Sequence, residues 1–173
     1  MLPAAQAMIA ELDAEAVTTR RVLARVPTDR LHWQPHAKSM TVGQLTQHIA
    51  SIPGGVSRIA RLDGFDMATR PQGYDPCAST AAALETFDDS VSAAKAFLSD
   101  LTEAAANHVW RLTFGDREIF AIPRLNVIRT MCLNHLIHHR GELVVYLRLL
   151  DVPVPVVYGR SADENPFAQR AGL

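Results

Sequence analysis

One short run of sequence, Asn134–Leu143, most restricts what this chain can fold into. It holds three of the seven histidines, at positions 135, 138 and 139, inside a long apolar segment that is typical of a helix. Positions four apart lie on one face of an α-helix, so His135 and His139 share a face. Each neutral imidazole needs a donor and an acceptor, and burying an unpaired polar group costs about 1–3 kcal/mol. Two such rings on a core face therefore need partners.

A third histidine, His48, falls on the apolar face of an earlier predicted helix, between Leu45 and Ile52. The pattern predicts that His48, His135 and His139 meet in the interior and hold one divalent metal ion. Neutral imidazole is a common ligand of zinc, nickel, copper and iron. Three histidines leave coordination positions open, as in catalytic rather than structural zinc sites.

Two other interpretations of these histidines stay open on the sequence alone. Each ring could simply be a hydrogen-bonded core or surface residue, and His135 could pair with His138 instead. The phase of the apolar stripe favours His139, because His138 falls off that stripe. The predicted stripe of the last helix comprises Leu125, Ile128, Cys132, His135, His139, Leu143 and Tyr146.

Several neighbours of the histidine run have more than one possible role. Glu142, three residues after His139, could accept a hydrogen bond from a ligand ring or lie on a solvated face. Arg140 could meet an anionic substrate or form a surface or inter-helix salt bridge. His138 joins Glu142 and Arg140 as a candidate contact for a ligand ring or a substrate. Cys132 could be a fourth ligand, a nucleophile or a small buried hydrophobe.

The composition indicates one globular domain, predicted to span residues 1–173. Hydrophobic residues make up 48% and charged residues 20% of the chain, which is ordinary for a protein with a real core. The net charge of −1 argues against nucleic acid or an anionic membrane as a partner. Two cysteines are too few for a disulfide scaffold. With no signal peptide and no run of about 18 apolar residues, we expect a cytoplasmic protein.

Apolar periodicity predicts four helices and hence an all-α, four-helix bundle. Helix 2 should begin at an N-cap formed by Ser39 or Thr41, with Gln44 placed for a capping box on Thr41. The Pro-Gly-Gly sequence at 53–55 predicts a kink or a short break in that helix. The predicted helices are residues 4–26, a segment from Thr41 through Ile59, a segment from Ser79 or Thr80 to Ala106, and Pro123–Leu150.

The predicted bundle has one strand-like insertion, at residues 108–121. Trp110, Leu112 and Phe114 alternate with polar residues, and a turn follows at Gly115 and Asp116. This pattern predicts a small β-hairpin before the last helix. A lone hairpin is marginally stable, so it should lean on the bundle.

Two other stretches are predicted to be irregular. Residues 63–78, rich in Asp, Gly and Pro, are typical of a long surface loop, and the segment after Asp151 is typical of a polar tail. Trp33 and Tyr146 should lie in the core or in a pocket wall. Surface positions are expected for the remaining histidines, His32, His36 and His108.

These residues resemble a known family, the DinB/YfiT-like metalloenzymes. The run from His135 to Glu142, HLIHHRGE, resembles the family's His-x-x-His-His-Arg-Gly-Gln signature. Segments 33–35, 38–45 and 48–50 resemble the family's entry into its second helix, and residues 158–164 resemble its C-terminal segment. The matches occur in the family's order and cover nearly the whole chain.

The resemblance implies an up-down-down-up arrangement of the four helices, frequent homodimers and one divalent metal ion, usually zinc or nickel. Its three histidine ligands correspond to His48, His135 and His139, the same set that the spacing predicts. Two positions depart from the family pattern. Glu142 stands where glutamine is usual and Arg160 where the tail often has proline; neither departure removes a ligand.

The resemblance also implies a function class. Characterised relatives include transferases and isomerases that use low-molecular-weight thiols, and other members are proposed hydrolases. We therefore expect a metal-dependent enzyme acting on small molecules, with thiol-dependent S-transfer ahead of hydrolysis. The alternative is a non-catalytic, metal-binding stress or sensor module. A role with nucleic acid is a third hypothesis, against which the near-neutral charge argues.

Overall fold

Four long helical segments dominate the computed structural model, which describes residues 1–71 and 73–167. Residues 72 and 168–173 of the predicted domain lie outside the described residues. No helix of the described ranges is long and apolar enough to cross a bilayer. The long segments are α1 (Pro3–Leu23), α2 (Val42–Ala60), α3 (Thr80–Ser99) and a composite fourth helix made of α5 (Arg124–Val127), a π-helix (Ile128–Asn134) and α6 (His135–Leu149).

The directions of α1, α2 and α3 follow from residue pairs that meet across their interfaces. Along the α1–α3 interface, Asp13 pairs with Lys95 and Arg20 with Asp88, so these two helices are antiparallel. Along the α2–α3 interface, the contacting residues occur in the same sequence order on both sides. The Cys77 N–H donates to the Gly43 carbonyl, and further along the Gly54 N–H donates to the Ser90 hydroxyl, so α2 and α3 run in parallel.

The fourth helix runs parallel to α1 and antiparallel to α2. Glu11 pairs with Arg129 and Glu15 with Arg140, in the same order along both helices. Each of α1 and α2 packs against both α3 and the fourth helix. The resulting order is up-down-down-up, which confirms the predicted bundle.

The helix α2 begins with the predicted capping box. The Thr41 side chain accepts from the Gln44 N–H, and the Gln44 side chain accepts from the Thr41 N–H. The sequence predicts either a kink or a short break at 53–55. The prediction of a break is wrong, because α2 continues through Pro53. The Gly54 N–H donates to the Ser90 hydroxyl at 2.6 Å, so a side chain of α3 satisfies backbone next to the proline.

The third predicted helix is shorter than its apolar pattern indicates. It ends at Ser99, and a separate short helix, α4 (Glu103–Asn107), follows. Thr102 caps α4 by accepting from the Ala105 N–H, while Leu101 turns into the core at 6% exposure. A threonine in a helix-like stretch can cap a new helix as well as continue an old one.

The predicted hairpin is present as β2 (Val109–Phe114) and β3 (Arg117–Pro123), with its turn at Gly115 and Asp116. Trp110 leans on the bundle as expected: it is fully buried, and its indole N–H donates to the Ile59 carbonyl at 3.2 Å. The prediction of a long surface loop at 63–78 is wrong in part. A third strand, β1 (Gly64–Asp66), pairs in parallel with β2. A Cβ at Gly64 would lie 2.6 Å from the Arg111 carbonyl oxygen, so the pairing requires glycine there.

The fourth helix departs from a uniform α-helix through its π-helical segment. A π-turn closes over five residues rather than four, so it shifts the phase of every later side chain. The centre of the buried face after Asn134 is Leu136, Arg140, Leu143 and Leu147. The expectation that the histidines at 135 and 139 occupy the core positions of the stripe is therefore wrong. They lie beside its centre, on the flank that faces α2.

Arg140 occupies the interior where the sequence allowed a surface position. Its side chain is 1% exposed, and its Nη1 atom donates to a Glu15 carboxylate oxygen of α1 at 2.6 Å. The guanidinium also donates to the Thr19 hydroxyl at 3.2 Å and to the Tyr158 hydroxyl at 2.6 Å. Of the roles predicted for Arg140, the structure shows the inter-helix salt bridge.

The polar tail after Asp151 is irregular, as predicted, and lies against α1 and α6. The Glu164 carboxylate pairs with Arg21 and Arg25, and Asp163 pairs with Arg148. The same two carboxylates accept backbone N–H groups of the tail itself. The tail is thus joined to the two helices whose contact contains the Arg140–Glu15 pair.

The buried ion pair should be far more sensitive to substitution than an exposed one. We expect Arg140→Met to lower the free energy of unfolding by about 3–5 kcal/mol, because it leaves the Glu15 carboxylate largely buried and unpaired. Arg20→Met removes the pair with Asp88, whose side chains are about half exposed, and should cost under about 1 kcal/mol. Urea unfolding of both variants measures the difference. Equal losses would contradict this account of Arg140.

Candidate metal centre

Three histidine side chains meet between α2 and α6. The Nε2 atom of His135 lies 3.3 Å from Nε2 of His48 and 2.8 Å from Nε2 of His139. The ring centroids are 4.6–4.9 Å apart, and the rings are inclined to one another rather than stacked. The structure therefore brings together the three histidines predicted from the spacing, with one nitrogen of each ring facing the others. Such a cluster could hold a metal ion.

The tautomers of two rings follow from what their Nδ1 atoms contact. Nδ1 of His135 lies 3.3 Å from the Met131 carbonyl oxygen, and Nδ1 of His139 lies 2.6 Å from a Glu142 carboxylate oxygen. A carbonyl and an ionised carboxylate only accept hydrogen bonds, so each Nδ1 atom must carry the proton. In the neutral rings, both Nε2 atoms then present lone pairs to each other at 2.8 Å.

Two facing lone pairs cannot form a hydrogen bond, and a metal ion bound by both nitrogens would satisfy them. The donor set is three imidazoles, a ligand type that suits zinc, copper, iron and nickel. Both Nδ1 contacts are of the kind that orients metal-ligating histidines in proteins. The side chains present in this chain therefore fit the metal ion that the resemblance implies.

The π-helical segment contributes directly to this arrangement. The His135 N–H donates to the Cys132 carbonyl, whereas in a regular α-helix it would donate to the Met131 carbonyl. The Met131 carbonyl lies 3.3 Å from Nδ1 of the His135 ring. Irregular helical turns of this kind are frequently found at functional sites.

Burial favours the neutral form of two of the three rings, His48 and His135. His48 is 7% exposed, and the His139 side chain is 12% exposed. Burial, then the neighbouring rings of His139 and His135 and the charge of Arg70, lowers the pKa of His48 from 6.5 to about 3. Burial, then the His139 ring, also lowers the pKa of His135. Both rings are consequently held in the neutral form that binds metals.

Glu142 and His138 lie on the solvent side of the cluster. The His138 side chain is 64% exposed, and its Nε2 atom lies 3.2 Å from one Glu142 oxygen while His139 holds the other. Glu142 thus bridges a buried ring and an exposed one. His138, His139 and Glu142 form a second, more exposed group that could hold a metal ion.

The structure separates the other sequence candidates from the cluster. Cys132 is fully buried, and burial raises the pKa of its thiol to about 12. That thiol is protonated at neutral pH, so the small buried hydrophobe is the interpretation that its environment supports. The Trp33 and Tyr146 rings pack edge to face at 5.8 Å. The remaining histidines, His32, His36 and His108, are exposed as predicted.

Sequence reasoning missed two residues beside the cluster, Tyr74 and Arg70. The Tyr74 ring lies 4.4 Å from the His48 ring, centroid to centroid, and the Arg70 guanidinium lies 4.5 Å from the Tyr74 centroid. Both belong to the segment predicted as a surface loop. Helical periodicity carries no information about which loop folds over a helix face, so no spacing in the sequence indicates them.

Comparison with known proteins relates this architecture to others. Residues 11–143 match the profile of the DinB superfamily. The fold is similar to crystal structures of a DinB-like protein from Bacillus cereus ATCC 10987, at 20% sequence identity and a TM-score of 0.66, and of the DinB-like protein YjoA from Bacillus subtilis, at 15% and 0.64. Each comparison covers 86% of this chain and 94% of the other. No curated protein matches the chain.

The low pKa of His48 predicts a pH dependence of stability in the metal-free protein. Between pH 6.5 and the folded-state pKa of about 3, the unfolded chain binds a proton at His48 that the folded chain does not. Stability therefore falls as the pH drops below 6.5. We expect His48→Gln to show a shallower fall than the unsubstituted protein in urea unfolding with chelator down to about pH 5. His32→Gln, at an exposed position, is the control and should leave the pH dependence of stability unchanged. If His32→Gln changed this dependence and His48→Gln did not, the assignment to His48 would be wrong.

Proposed function

The chain belongs to the DinB superfamily, and from that membership and the histidine cluster we propose that it is a metal-dependent enzyme acting on small molecules. His48, His135 and His139 would hold one divalent metal ion, zinc or nickel. The observation that carries the proposal is the convergence of three Nε2 atoms, with two of the rings, His135 and His139, held by hydrogen bonds at Nδ1. No proton arrangement of the neutral rings satisfies the pair at 135 and 139 as well as a cation does.

A divalent ion on three neutral ligands keeps its full charge and lowers the pKa of a water or thiol bound to it. The residues of this chain orient and protect such a centre. Glu142 and the Met131 carbonyl fix the two rings of α6. The burial of His48 keeps its imidazole neutral at ordinary pH.

The reaction class that we favour is thiol-dependent S-transfer, ahead of hydrolysis. A free thiol has a pKa near 8.5 and bulk water one of about 15.7. A metal ion therefore needs to supply much less stabilisation to form a thiolate at neutral pH than to form a hydroxide. Hydrolysis gains from a carboxylate base, yet Glu142 is shared by His138 and His139. A low-molecular-weight thiol as co-substrate is accordingly part of the proposal.

The second candidate is a non-catalytic, metal-binding stress or sensor module. The engagement of both Glu142 oxygens by histidines favours it, because a sensor needs ligands but no general base. Binding of nucleic acid has less support, since the net charge is −1. Homodimerisation and a cytoplasmic location complete the proposal; sedimentation of the purified protein would test the first, and fractionation of cells the second.

Metal content provides the first test. Protein purified without a histidine tag should contain one zinc or nickel per chain by elemental analysis. His48→Ala, His135→Ala and His139→Ala should each weaken metal binding by more than the roughly 10–100-fold typical of losing an orienting partner. His138→Ala is the matched control from the same run and should keep the ion. Equal metal content in all four variants would exclude this ligand set.

Turnover distinguishes the two candidate functions. The metal-loaded protein should react in a panel of thiols with electrophilic substrates, and His135→Ala should lose both metal and activity. A His135→Ala protein that lost its metal but kept full activity would exclude the enzyme proposal. Tight metal binding with no turnover on any thiol, ester or amide would favour the sensor module.

A further inference from the structure

A guanidinium lies one aromatic ring away from the histidine cluster. The His48 ring, the Tyr74 ring and the Arg70 guanidinium follow one another at 4.4 and 4.5 Å. Tyr74 therefore contacts both a ring of the cluster and a charged group.

Arg70 has no carboxylate partner in residues 1–71 and 73–167, in contrast with other arginines near helix interfaces. Arg124 pairs with Asp63 and Arg140 with Glu15. Arg70 instead lies over the Tyr74 ring, with its guanidinium carbon 4.5 Å from the ring centroid. A guanidinium held against a ring in this way keeps N–H donors available for a planar anion.

The loop that carries these two residues is held at defined points. The Gln44 side-chain amide donates to the Tyr74 carbonyl at 3.0 Å, and the Cys77 N–H donates to the Gly43 carbonyl at 3.2 Å. A Cβ at Gly43 would lie 3.0 Å from Pro76, which shows how closely the loop approaches α2. The stack is therefore built against the helix that supplies His48.

We propose that Arg70, with Tyr74 as its platform, binds the anionic group of the small molecule that reaches the histidine cluster. The substrate class is then a short molecule with a carboxylate or a similar anion at one end and the reacting group, such as a thiol, at the other. Arg70 is a specificity-determining residue in this scheme, because its N–H groups donate to the anion. The inference rests on the proposed metal site, since the reacting end must be held there.

The test compares two thiols that differ in charge but hardly in shape. Cobalt(II)-loaded protein is titrated with 3-mercaptopropionate and with 3-mercaptopropionamide, and thiol binding is followed by the change in cobalt absorption. The carboxylate should bind at least about tenfold more tightly, the range expected for a charge-assisted hydrogen bond. Arg70→Gln should abolish the preference, and Arg70→Lys should retain part of it.

A matched control is available at the other end of the bundle. Arg61 also stacks on an aromatic ring, that of Phe97 at 5.1 Å, so Arg61→Gln removes an equivalent charge away from the cluster. It should leave the preference unchanged. Arg70→Gln should bind cobalt at least as tightly as the unsubstituted protein, because a nearby positive charge is gone; this readout also shows that the variant is folded.

The outcomes separate this inference from the proposed function. Equal affinity for the two thiols, or a preference that survives in Arg70→Gln, would overturn the role of Arg70 and leave the metal site intact. Failure of the unsubstituted protein to bind cobalt, or of any thiol to change its spectrum, would overturn the proposed function and the inference with it.

Discussion

The ion pair between Arg140 and Glu15 fixes how the fourth helix is rotated about its axis. A guanidinium that is almost fully buried has to face its carboxylate on α1, and successive helical residues are turned by about 100°. His139, the preceding residue, is thereby directed to the flank that faces α2, and His135 lies one turn before it. The site geometry thus depends on an interaction that contains none of the three histidines.

The parts of this structure that a sequence can predict are those set by local repetition. The four-residue spacing of His135 and His139 places them together wherever that helix packs, and the apolar phase of α2 directs His48 inward. The capping box at Thr41 is equally local, since its two hydrogen bonds join residues three apart. The structure contains these features nearly as the sequence predicts them, and they are enough to identify the three candidate ligands.

The parts that the sequence could not predict depend on distant partners. Nothing near Pro53 shows that Ser90 will satisfy the Gly54 N–H, and β1 is too short to show any alternation. At the end of the π-helical segment the His135 N–H donates to the Cys132 carbonyl, a change of partner that the apolar pattern does not show. The position of Arg140 was open for the same reason, because only the packing of α1 against the fourth helix decides between interior and solvent.

Gln44 has a consequence for local unfolding. Its side-chain oxygen accepts from the Thr41 N–H, and its side-chain nitrogen donates to the Tyr74 carbonyl. One amide group therefore forms hydrogen bonds both with the N-cap of α2 and with Tyr74, whose ring contacts His48. Fraying of the first turn of α2 and lifting of the loop that carries Tyr74 each disrupt hydrogen bonds of the same side chain, so the two segments should open as one cooperative unit rather than independently. Access to the histidines would then be linked to the order of a helix end that contacts none of them.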